Sequence, residues 1–205
     1  MLALVLALGA LASRGVDLAS AGWLPGRAGH EPWRAFSAVF VHLSDGHLAA
    51  NLLGCVLVGA FGQFGARAVP GQAAAARDWT LAWLAAWPLT HALLLAEARL
   101  GGYAGLSGVL HAGVAVAALG LATQGHGRAR AVGAAVLAGL LAKVALEEPW
   151  RAPVQALAQW DVPVAVAAHA SGTLAGLACA AVALLARRGA TMRRLHHPTR
   201  RADPP

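Results

Sequence analysis

The chain has 205 residues, 58% of them apolar and only 12% charged, and a mean hydropathy of +0.58. A soluble domain carries about 25% charged residues, so lipid rather than water is the solvent for most of this surface. The net charge of +7 does not argue for nucleic acid, because the arginines sit in short connections and one tail with no basic face interleaved with aromatics. A single tyrosine and four phenylalanines also exclude an aromatic-girdled β-barrel, leaving an all-α polytopic membrane protein. Cys55 and Cys179 fall inside apolar segments and read as buried small residues rather than a disulfide framework.

Met1 to Ala12 is apolar, but no basic segment precedes it, which argues against a cleavable signal peptide. It is also short of the ~20 residues that a span needs, so the first helix either extends toward Ala21 or begins upstream of Met1. Residues 18–45 form the longest connection, read as an interfacial hairpin or partly inserted loop with Trp23 and Trp33 at headgroup level. Its apolar stretch over 36–41 is too short to span.

The second helix is expected over 46–66, ending before Pro70-Gly71. The third runs over 79–96 and should kink at Pro88. Its Trp79, Trp83 and Trp87 recur every fourth residue and share one face, for lipid contact or interhelical packing. The fourth runs over 106–122 and the fifth over 131–146, where Lys143 and Glu147 are spaced for a same-face pair. The sixth covers 162–186. The predicted fold is thus a bundle of six membrane helices over 1–186, followed by a basic tail over 187–205.

Six spans put both termini on one side. Ten arginines fall on that side and five on the other, which places both ends in the cytoplasm and the starts of the fourth and sixth helices facing outward.

Polar residues inside apolar spans are expensive in lipid and point to function. Gly105-Leu106-Ser107-Gly108 sets a lone hydroxyl at the head of the fourth helix. It serves either as packing material or as a nucleophile, although Val109 breaks the Gly-x-Ser-x-Gly elbow. His47 and Asn51, four apart on the second helix, share a face, and the sixth helix carries His169-Ala-Ser-Gly172 with Gly176 beyond it. As chemistry, Ser107 would be a nucleophile and His169 its general base. Asn51, His47 and the Ser107 backbone N–H would then stabilise an oxyanion. Gly105, Gly108, Gly172 and Gly176 would permit close helix approach. His111, one turn beyond Ser107, is the rival base. Glu97, Glu147, Glu148 and Asp161 all fall at span ends, so a two-residue dyad is expected rather than a triad. As structure, His169 and Asn51 are hydrogen-bond glue between helices. Histidines in several spans could bind haem, although no two pairs at matched depths emerge, and no His-Glu-x-x-His or cysteine cluster suggests a zinc site.

Over residues 33–180 these motifs, in order, resemble the rhomboid family of intramembrane serine proteases. The resemblance rests on Trp33-Arg34-x-Phe36, His42, His47-x-x-x-Asn51, Gly105-Leu106-Ser107-Gly108 and Ala168-His169-x-x-Gly172-x-x-x-Gly176. The compact form and Gly-Leu-Ser-Gly-Val-Leu-His are similar to the rhombosortase subgroup. That resemblance implies a rhomboid-like six-helix bundle in the bacterial inner membrane, with the active site opening toward the periplasm. It implies a serine endopeptidase with a Ser107–His169 dyad and Asn51 and His47 around the oxyanion, acting without a metal or other cofactor. Its substrates would be membrane-anchored proteins, with a C-terminal Gly-Gly motif, a transmembrane segment and a basic tail. Two alternatives stand beside it: a catalytically inactive rhomboid-like protein that binds membrane clients, and a small transporter or haem-binding membrane protein.

Overall fold

The computed structural model describes residues 1–196. Six principal helices carry it: α1 (Leu2–Ala12), α2 (Asp45–Arg67), α3 (Gln72–Leu93), α4 (Ser107–Gln124), α5 (Gly127–Leu146) and α6 (Val166–His196). Among the described residues there is no β-sheet; two isolated bridges, Trp23 to Tyr103 and Gln155 to Val164, are the extended pairings found. The part of the expected tail beyond His196 lies outside the described residues.

Five helices, α2 to α6, are long and apolar enough to cross a membrane. The expectation of six full spans is met only in part. With its 11 residues, α1 is roughly 16 Å long and reaches about half of a 30 Å hydrocarbon core. The chain is a multi-spanning helical membrane protein.

Local chemistry sets the helix limits. Ser44 caps α2, its hydroxyl accepting from the His47 N–H at 3.0 Å. After Pro70, Gly71 takes a left-handed φ of +68°, which glycine adopts without strain, and the chain reverses into α3. Pro88 is accommodated within α3.

The centre of the bundle is α4. Of its span 61% is buried, against 11% for α5, so α4 is the axis and α5 a peripheral helix. Small residues make this possible. A Cβ on Gly108 would lie 2.8 Å from the Ala168 carbonyl oxygen of α6, and one on Gly172 would collide with the Gly108 carbonyl. Toward α3, a Cβ on Gly113 would come 2.6 Å from the Trp83 ring and one on Gly120 2.5 Å from Trp79 Nε1. Trp79, Trp83 and Trp87 are all buried, and Trp83 Nε1 donates to the Val109 carbonyl at 2.7 Å. Of the two readings of the tryptophan stripe, interhelical packing is the one realised.

The long first connection is knitted rather than loose. Two one-turn helices, Leu18–Ala21 and Arg34–Ser37, are held together by the buried Arg34 guanidinium. It donates to the carbonyls of Gly22 and Ala19, both at 2.9 Å, and pairs with Glu31. Trp23 departs from the headgroup expectation. It is buried, exchanges backbone hydrogen bonds with Tyr103, and sets its ring edge-on to His91 at 5.7 Å. Trp33 is half exposed, as an interfacial residue would be.

Candidate metal centre

The turn leading into α4 is fixed from three directions. Gly105 has φ +106°, a conformation that disfavours any side chain, and its N–H donates to the Ala38 carbonyl at 2.8 Å. Tyr103, wholly buried, donates its hydroxyl to the Gly105 carbonyl at 2.7 Å and accepts from the Gly108 N–H at 3.0 Å. Burial pushes the Tyr103 phenol up, so it stays a donor. A Cβ at Gly105 would lie 2.5 Å from His47 Nε2 and 3.3 Å from Asn51 Nδ2, which puts both α2 side chains beside this turn. The Leu43 N–H donates to His47 Nδ1 at 3.3 Å, so the imidazole proton of His47 resides on Nε2. Asn51 is buried, and its Nδ2 has no hydrogen-bond partner among the described residues.

Ser107, the first residue of α4, has its Oγ 3.2 Å from His169 Nε2 on α6. The other imidazole nitrogen, His169 Nδ1, is 2.9 Å from Glu147 Oε2 and 3.3 Å from Lys143 Nζ. Lys143 Nζ donates in turn to Glu147 Oε1 at 2.5 Å. His111 stacks on His169, with ring centroids 4.1 Å apart and planes inclined by 11°, and its Nδ1 donates to the Ser107 carbonyl at 2.7 Å. That bond fixes the tautomer and leaves Nε2 of His111 with a free lone pair.

One ligand atom from each of His111, Glu147 and His169 falls within 4.8 Å of the others. His169 is buried and the other two are half-buried. Two imidazoles and a carboxylate form a donor set suited to zinc and neighbouring divalent ions. Burial works to raise the Glu147 carboxyl, but the His169 hydrogen bond and charge, with those of Lys143, hold it down to about 2. Its carboxyl is therefore anionic near neutral pH. Haem is a poor fit. Axial histidines approach iron from opposite faces of the macrocycle, whereas these two rings lie in van der Waals contact and offer their nitrogens to one space.

This geometry corrects the sequence-based reading in three respects. First, Glu147 is not a bystander at a span end. It follows the last residue of α5, and its Oε2 lies 2.9 Å from His169 Nδ1 of α6. Second, the sequence reading of a metal site looked for a contiguous motif, whereas the three groups here that could hold an ion come from three segments that only the fold unites. Third, a serine endopeptidase acting through an isolated Ser107–His169 dyad gives way. His169 belongs to a His111–Glu147–His169 set of metal-ligand type, and nothing beyond the residues quoted above supports the protease, hydrolase or rhomboid assignment. The i,i+4 spacings of Ser107 with His111 and of Lys143 with Glu147 were the available signal for the residues that sequence reasoning ranked too low.

Other polar residues lie apart from this set. His91 is buried on α3 between Trp23 and Tyr103, and His42 stands 5.0 Å from His47, ring to ring, with burial lowering its basicity. In front of the cluster lies a chamber of about 730 Å³, lined by α2, α4, α5 and the 154–165 segment. His47, Asn51, Ser107, His111, Lys143, Glu147 and His169 all open onto it. No family model matches the chain, and no curated protein does.

Proposed function

We propose that this is an integral membrane protein that binds one divalent transition-metal ion, zinc or a near neighbour, through His111, Glu147 and His169. The observation that carries this is the convergence of those three ligand atoms within 4.8 Å, on a bundle wall that opens to a chamber. Ligands at 2.0–2.2 Å from a tetrahedral ion stand about 3.4 Å apart. The cluster needs a contraction of about an ångström, within reach of a half-buried carboxylate and a half-buried imidazole. The second coordination shell supports the reading: the Ser107 carbonyl holds the His111 tautomer, which leaves the opposite nitrogen free to ligate. Lys143 is a competing cation beside Glu147. Its long, exposed stem can carry the ammonium away when a divalent ion arrives.

The topology offered with this reading is the six-helix, rhomboid-like arrangement in a bacterial inner membrane. Both termini are cytoplasmic and the metal faces the periplasmic half. Its support is the arginine asymmetry and the position of the cluster at the starts of α4 and α6. Ser107, Asn51 and His47 then act as polar side chains lining the chamber beside the ion, and residues 187–205 as the cytoplasmic tail.

The test is metal titration of the purified, chelator-stripped protein, using the ligand-field absorption of cobalt(II) and displacement by zinc. One equivalent should bind, and His111→Ala or His169→Ala should weaken binding by at least about 100-fold, with Glu147→Gln losing roughly 10- to 100-fold. Binding that is not saturable, or that survives these substitutions, rejects the proposal. So does His169-dependent labelling of Ser107 by a fluorophosphonate in excess chelator, since that would make the hydroxyl rather than an ion the reactive centre.

A further inference from the structure

The chamber has a regular construction that metal binding does not use. On α2, Asn51 at the rim is followed seven residues deeper by Val58; on α4, Ser107 by Val114; and on the antiparallel α5, Lys143 by Val136. All six side chains line the same cavity. Seven residues of helix are about 10 Å, so three walls present a polar group at one level and a valine at a common depth below it. The result is an apolar shaft with a polar collar. Its sides are open to lipid, because α2 and α5 both pack on α4 and make little contact with each other.

We infer that the shaft holds one acyl chain of a bilayer phospholipid, its ester carbonyl lodged at the collar. Three observations select this occupant. The shaft is walled by helices whose backbone groups are already paired, so a peptide there would leave its own N–H and C=O groups unsatisfied, while an alkyl chain has none to satisfy. The collar offers donors: the Nε2 proton of His47, the Lys143 ammonium and the unpartnered Nδ2 of Asn51. A carbonyl oxygen accepts from these without adding charge, whereas the carboxylate of a free fatty acid would face Glu147. The volume of about 730 Å³ lies within the usual range of single small-ligand sites, about 300–1,000 Å³, and so admits one chain while the second stays in the bilayer. This inference does not depend on the metal.

The experiment uses the full chain, with chelator present, in vesicles doped with a phosphatidylcholine carrying a diazirine midway along one acyl chain. After photolysis, cross-linked peptides are mapped by mass spectrometry. Labels are expected on Val58, Val114 or Val136. A Cβ at Gly139 meets nothing within 4 Å, so Gly139→Leu fills the shaft without a backbone clash. It should reduce shaft labelling at least tenfold while labels on the outward Leu53 and Val182 persist. Val136→Trp, which blocks the shaft at another level, should do the same. Shaft labelling that is undiminished in both variants, or no greater than that of the outward residues, overturns the inference. Preferential labelling by a diazirine fatty acid over the phospholipid overturns the assigned source.

Discussion

The seams that α4 makes with α6 and with α5 are built on opposite principles. Against α6 the backbones touch: a Cβ on Gly172 or Gly176 would run into the carbonyl of Gly108 or Ala112. Against α5 the backbones come closest near the connecting turn, where a Cβ on Gly133 would lie 2.5 Å from the Ala122 nitrogen, whereas at Gly139 a Cβ would meet open space. One seam is a rigid mount that fixes His169 against Ser107 and His111. The other leaves room for a chamber beside Gly139 and brings Lys143 and Glu147 to it at the end of the least buried span. A polar cluster fed from both seams therefore has one wall held by backbone contact and one that carries the Lys143–Glu147–His169 ion pairs.

Substitutions at matched positions break this comparison. The largest effect should come from Gly172→Ala, where the obstructing atom is backbone and cannot rotate aside. Overpacking of this kind costs about 3 kcal/mol or more, so thermal unfolding in detergent should shift down by roughly 10 °C. Gly133→Ala, at the pinned end of α5, should cost about 1–3 kcal/mol by the same assay. Trp83→Phe removes the indole donor to the Val109 carbonyl and should cost about 1 kcal/mol. Gly139→Ala, in the open part of the same helix as Gly133, should be neutral or raise stability by up to about 1 kcal/mol through helix propensity. Equal losses at Gly172 and Gly139 would erase the distinction between the seams.

The ion pairs on the α5 side give a pH-dependent version of the test. Glu147 is held down from an ordinary 4.5 to about 2 in the folded protein. Its contribution is fully present above 4.5 and is lost as pH falls through about 2. The stability gap between wild type and Glu147→Gln should thus be flat from pH 7 to 5 and close only in strong acid. A gap that closes near neutrality would assign the dependence to the imidazoles instead.

Membrane residence, helical class and most helix limits follow from the sequence, because they depend on local quantities: runs of apolar residues, Pro70-Gly71, the Ser44 cap and the scarcity of charge. Polar residues set at helix starts were likewise legible as a site. What escaped was partnership. Glu147 read as a span-end partner of Lys143 and Trp23 as a headgroup anchor, since nothing along the chain reports a Glu147–His169 contact or a Trp23–Tyr103 pairing. Periodicity tells which residues share a face of one helix, but which faces meet is set by where glycines let backbones close. Only the packed bundle could bring His111, Glu147 and His169 to one point.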